Sequence, residues 1–180
     1  MKRMSIVAII ISILLSGCSK TSDTTLPFKL DNDGNYTGFS NLPVNYTAEQ
    51  AKNDGYYVRV NLETVGGEPV WEDFIQDASN GKDTSIRIVN ISDDKTYYHD
   101  LFYVDGYYRI FDSSSEDLHN YKFKYMLKLV GKLPNAVKSG SVTILTDDRD
   151  LSYKDVMWTF LSSDLNYSES ISPFKIVSFE

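Results

Sequence analysis

"TYYHDLFYVDGYYRIFD", residues 96–112, sets one turn signal between two runs of aromatic and β-branched residues. Asp105-Gly106 suits the two central positions of a type I′ turn, which both require positive φ, and such a turn joins antiparallel strands directly. Counting outward gives the register: Val104 faces Tyr107, Tyr103 faces Tyr108, Phe102 faces Arg109, Leu101 faces Ile110 and His99 faces Asp112. Side chains alternate across a strand, so Leu101, Tyr103, Tyr108 and Ile110 share one face, closed at its far end by the His99 and Asp112 pair. Phe102, Val104, Tyr107, Arg109 and Phe111 share the other. Aromatics beside an arginine are the residue types enriched at binding hot spots, which makes Phe102, Tyr107, Arg109 and Phe111 the candidate binding face. The competing expectation is that a helix covers this face, because exposed apolar patches of that size are uncommon.

The flanking segments supply more strands and three helices. "TAEQAKNDG", 47–55, offers Thr47 as N-cap, Gln50 as its capping-box partner and Gly55 as a stop. "YYVRVNL", 56–62, reads as a strand. "GGEPVWEDFIQDASNGK", 66–82, puts Pro69 near a helix start and Gly81 at its end, with Val70, Trp71, Phe74, Ile75 and Ala78 at helical spacing. "TSIRIVNIS", 84–92, is a strand again, and strand-like segments follow at 121–130, 140–146 and 174–179. Between the last two, Ser152 and Asp155 form a capping box before the apolar stripe Tyr153, Val156, Met157, Phe160 and Leu161. Strands bunched around hairpins, with helices toward the ends, predict an α+β fold: an antiparallel meander sheet with helices packed against it.

The N-terminus predicts an anchor. Lys2 and Arg3 precede an apolar run from Met4 to Leu15, about 12 residues against the roughly 20 a membrane-spanning helix needs, so the run reads as a cleavable signal segment. Leu15-Ser16-Gly17-Cys18 resembles the lipobox of bacterial lipoproteins, which implies lipid attachment at Cys18, the only cysteine in the chain. From Ser19 to Pro43, 17 of 25 residues are Ser, Thr, Asp, Asn, Gly or Pro. With no hydrophobic period, that stretch reads as a flexible tether. The expected organisation is therefore a signal peptide over 1–17, a lipidated cysteine and tether over 18–43, and a single α+β domain over 44–180. The expected location is outside the cytoplasm, on a bacterial cell membrane.

Several segments also resemble one family. "AEQAKNDGYYVRV", the helix "DFIQDASNGK" running into "SIRIVN", and "DLFYVDG" are similar to the bacterial lipoproteins of domain of unknown function 4362, over roughly residues 46–118. The resemblance implies a first helix that ends in Gly and feeds a strand, an Asn-Gly-Lys turn into an Arg-Ile-Val strand, and a hairpin at Asp100, Leu101, Tyr103, Asp105 and Gly106. The Gly-Asp-Pro turn of the pattern is replaced here by "SDDKTYYH". It implies a membrane-anchored protein and brings no catalytic residue with it.

Composition narrows the function. The chain carries 18 Lys and Arg against 25 Asp and Glu, and loss of Lys2 and Arg3 on processing takes the net charge to −9. So acidic a chain argues against nucleic acid as a partner. Only His99 and His119 are present, with no H-E-x-x-H, G-x-S-x-G or P-loop pattern. His99 is expected to pair with Asp112 rather than ligate or act as a base. The loop Asp147, Asp148 and Asp150 reads as turn chemistry before a helix, and "DNDGN", 31–35, as an Asx turn, because calcium-loop positions 6 and 12 hold Tyr36 and Leu42. The expectation is a non-catalytic binding module with no cofactor or metal, meeting an envelope protein or glycan. A carboxylate-dependent hydrolase is the alternative.

Overall fold

A computed structural model describes residues 26–93, 95–134, 136–162 and 165–180. The signal segment, Cys18 and residues 19–25 of the expected tether lie outside them. In chain order the elements are α1 (Ala48–Asn53), β1 (Tyr57–Val60), β2 (Glu63–Gly66), α2 (Glu68–Ser79), β3 (Thr84–Ser92) and β4 (Lys95–Val104). They continue with β5 (Tyr107–Asp112), β6 (Tyr125–Gly131), β7 (Gly140–Thr146), α3 (Tyr153–Leu161), α4 (Leu165–Ser170) and β8 (Phe174–Phe179).

The class is α+β, with the described strands divided between a five-stranded sheet, β2-β1-β3-β4-β5, and a three-stranded sheet, β6-β7-β8. All neighbours are antiparallel except β1 and β3. A parallel pair needs a crossover connection, and the chain provides it with β2 and α2. Gly67 caps α2 at φ 85°, and a Cβ there would lie 2.3 Å from the Tyr56 carbonyl oxygen, so only glycine lets the helix start this close to β1.

The hairpin forms in the register counted from the sequence, from Val104 opposite Tyr107 to His99 opposite Asp112, with Asp105 and Gly106 at φ 55° and 78°. Both capping boxes are present, Thr47 with Gln50 and Ser152 with Asp155. Period-two alternation then gives the large sheet two unlike faces. On the inner face Tyr57, Ile86, Ile88 and Leu101 meet Phe74 of α2 and Leu145 and Val177 of the small sheet in one core cluster. On the outer face Val58, Val89 and Tyr98 pack with Ala51 of α1.

The rest of the outer face overturns two expectations. Residues 26–43 are not a free tether: Tyr36 is 2% exposed and forms a cluster with Phe102 and Phe111, joined by Leu26, Phe28 and Phe39. The composition hid this because a few aromatics spaced among turn formers suffice when a ready-made apolar face awaits them. The same strap covers the candidate binding face. Phe102, Phe111 and Arg109 are buried, and among the four only Tyr107 reaches solvent appreciably. The cover is this irregular strap, where a helix was expected.

Buried polar groups hold the strap down. Arg87 donates from Nε and Nη2 to the two oxygens of Asp100, at 2.7 and 2.6 Å, and Tyr36 donates its hydroxyl to Asp100 at 2.7 Å. Burial and the neighbouring carboxylate push the Tyr36 hydroxyl far above its ordinary range, so it stays a donor. Arg109 points its Nη1 at the carbonyls of Val104 and Tyr107, at 2.6 and 3.1 Å, with its guanidinium 5.1 Å from the Phe28 ring centre. It braces the Asp105-Gly106 turn from beneath.

Candidate functional site

The inner face of the large sheet changes character along its strands. Around Ile86, Ile88 and Leu101 it is apolar and covered. Farther along, the same rows carry Arg59 on β1, Asn90 and Ser92 on β3, Tyr97 and His99 on β4, and Asp112 on β5. Here a cleft of about 400 Å³ opens between the large sheet and β8, the edge strand of the small sheet. Leu62, Ile176 and Phe179 stand on its walls, and Asn90, His99 and Asp112 line it from the sheet. A smaller cavity of about 140 Å³ adjoins it, sharing His99, Asp112 and Ile176 and adding Asp117 and Lys175.

Arg59 shapes one end. It is 4% exposed, and its Nη2 donates to the carbonyls of Leu62 and Phe179, both at 2.7 Å. One guanidinium thus ties the β1–β2 turn to the end of β8. That turn is Asn61-Leu62, at φ 49° and 72°, a type I′ geometry occupied by a leucine where glycine is sterically at ease. Leu62 is also 65% exposed.

The polar groups divide into the satisfied and the unsatisfied. His99 Nε2 lies 3.4 Å from Asp112 Oδ2, as the register requires. Asp112 Oδ1 accepts from the Ser114 hydroxyl at 2.7 Å and the Ser114 N–H at 2.8 Å. Burial alone would raise the Asp112 carboxyl, but the hydrogen bonds from His99 and Ser114 outweigh it and bring the pKa down to about 2. By contrast, Asn90 Nδ2 and His99 Nδ1 are buried without a hydrogen-bond partner among the described residues. Most buried polar atoms are paired, and both of these unpaired ones belong to residues that line the cleft.

Read as a Ser-His-Asp triad, Ser114, His99 and Asp112 have the wrong connectivity. In a Ser-His-Asp triad the imidazole stands between serine and carboxylate; here the carboxylate stands between, so Ser114 donates to Asp112 and has no base. A carboxylate pair fares no better. Asp117 is held down chiefly by the His119 backbone N–H, and with Asp112 also ionised neither is kept protonated as a general acid. The acidic loop has turn roles away from the cleft: Asp147 accepts from the Lys124 N–H, and Asp148 accepts from the Asp150 N–H and the Ser172 hydroxyl. Asp31 likewise accepts from the N–H groups of Asp33 and Asn35, an Asx turn.

Of the residues singled out in the sequence, His99 and Asp112 belong to the cleft, while Phe102, Arg109 and Phe111 lie under the strap on the opposite face. Arg59, Asn90, Tyr97 and Leu62 were missed. Their signal was the polar Asn90 and Ser92 inside an otherwise apolar run, and the absence of glycine at Asn61-Leu62. No protein-family model, curated protein or solved structure matches the chain. Function is therefore argued from the site.

Proposed function

We propose that this protein is a non-catalytic binding module, held at a bacterial cell membrane through a lipid on Cys18, whose ligand enters the cleft between the large sheet and β8. The observation that carries the reading is the pair of unpartnered buried atoms, Asn90 Nδ2 and His99 Nδ1, in a cavity of about 400 Å³ with apolar walls. A pocket of that size with a few convergent polar groups is the usual form of a small-ligand site. Against turnover stands the arrangement of Asp112, which engages both His99 and Ser114 and leaves neither available to the other.

Incubation of the isotope-labelled protein with a fractionated bacterial envelope extract tests this. Backbone resonance changes should cluster at Asn90, Tyr97, His99 and Ile176, and the extract should keep its composition over hours. Turnover of an extract component, lost in Asp112→Asn, would replace the binding reading with the hydrolase.

A further inference from the structure

We propose that the cleft recognises a secondary amide, the group common to peptides and N-acetylated sugars, with Asn90 Nδ2 donating to its carbonyl and His99 Nδ1 accepting from its N–H. The proposal rests on the binding reading above and names the chemistry of that ligand. Asp112 Oδ2 stands 3.4 Å from His99 Nε2, so a ring whose proton is on Nε2 leaves Nδ1 as an acceptor. Asn90 Nδ2 is a donor only. One unpaired donor and one unpaired ring nitrogen therefore belong to residues that line the same cleft.

Their pairing of one donor with one acceptor on neighbouring strands selects among ligands. Asn90 lies opposite Tyr97 and His99 opposite Ile88, which makes Asn90 and His99 diagonal neighbours on adjacent strands. The Cα atoms of such positions are about 7–8 Å apart, near enough for one ligand group to meet both side chains. A trans amide points its C=O and N–H in opposite directions, so one such group can accept from Asn90 on one side and donate to His99 on the other. A carboxylate has no N–H to give His99 and would face the ionised Asp112. A hydrocarbon would leave both polar atoms unpaired.

Leu62 supplies the second half of the site. Its backbone is strained at φ 72°, its side chain is exposed, and it stands on the cleft wall with Ile176 and Phe179. An exposed apolar side chain retained in a strained turn beside a cavity is suited to contact a ligand's apolar substituent. Leu62 thus acts as the lip over the group attached to the amide.

Resonance titration of the full chain in detergent, with four probes, tests the inference. N-acetyl-leucine N-methylamide is compared with its counterpart in which oxygen replaces both N–H groups, and N-acetylglucosamine with glucose. At least one amide probe should shift Asn90, Tyr97 and Ile176 and bind ten-fold or more tighter than its counterpart; which one does so distinguishes peptide from sugar. Asn90→Val should weaken that binding ten-fold or more while leaving Tm unchanged or raised, because an unpaired buried donor has been removed. Leu62→Gly should likewise raise Tm and weaken binding of the leucine probe. Equal affinity of an amide and its counterpart at these residues would overturn the amide while leaving the cleft a binding site. Silence from both amide probes, or a lowered Tm in Asn90→Val with binding intact, would also overturn it.

Discussion

Tyr36 and Asp112 show how much a single polar atom does in this chain. The Tyr36 ring stacks on Phe111 at 4.2 Å between centroids while its hydroxyl reaches Asp100, so Tyr36→Phe keeps the stacking and removes only the donor. A buried hydrogen bond to a charged group contributes about 2 kcal/mol, and urea denaturation of Tyr36→Phe should show a loss of that order. An unchanged midpoint would mean that Arg87 alone satisfies Asp100. For Asp112, folding lowers the carboxyl from 3.8 to about 2. A depressed carboxyl stabilises the fold above about pH 4, and that stabilisation disappears as the pH falls toward 2. With Asp112 partly exposed, solvent screening limits the effect to about 1 kcal/mol. Asp112→Asn should flatten the acid limb of the stability profile between pH 4 and 2; a limb of unchanged slope would show that the His99 and Ser114 contacts do not persist in solution.

The strap over residues 26–43 is the element whose behaviour separates composition from packing. Its backbone is anchored at both ends of the covered face: Leu26 N–H donates to Ser85 Oγ at 2.7 Å, and the Gly38 carbonyl accepts from Arg87 Nη2 at 3.1 Å. Between them, the Tyr36 N–H donates to the Leu118 carbonyl at 2.9 Å. A chain beginning at Val44 would expose Phe102 and Phe111 and leave the Arg87–Asp100 pair without its tyrosine. Burying one aromatic side chain is worth about 2 kcal/mol, so this chain should lose at least about 3 kcal/mol relative to one beginning at Ser19. Equal urea midpoints for the two chains would restore the flexible tether.

A folded strap also changes how the whole molecule would sit at a membrane. Residues 19–25, seven in all, separate Cys18 from Leu26. Fully extended, they span at most about 25 Å, so a lipid on Cys18 would hold the domain against the bilayer surface. No helix among the described residues is long and apolar enough to cross a membrane. Cys18→Ala should abolish acyl labelling and move the protein from the detergent phase to the aqueous phase on phase separation. Retained labelling would show that the lipobox reading is wrong.

The elements legible in the sequence are those whose instructions lie within a few residues of one another. Asp105-Gly106 dictates its own hairpin register, Thr47 with Gln50 and Ser152 with Asp155 mark helix starts, and His99 meets Asp112 because counting from the turn leaves no other pairing. The strap, the division into two sheets and the parallel β1–β3 pair carry no such local mark. Phe28, Tyr36 and Phe39 are too sparse to announce a buried segment, and they become one only because Phe102 and Phe111 already present an apolar face with Asp100 and Arg87 set into it. The cleft depends likewise on distant parts of the chain: Arg59, Asn90 and Phe179 converge only when β8 packs beside the large sheet. Local hydrogen bonding and side-chain alternation suffice to write the elements, whereas burial is shared between distant segments and is decided only when they meet.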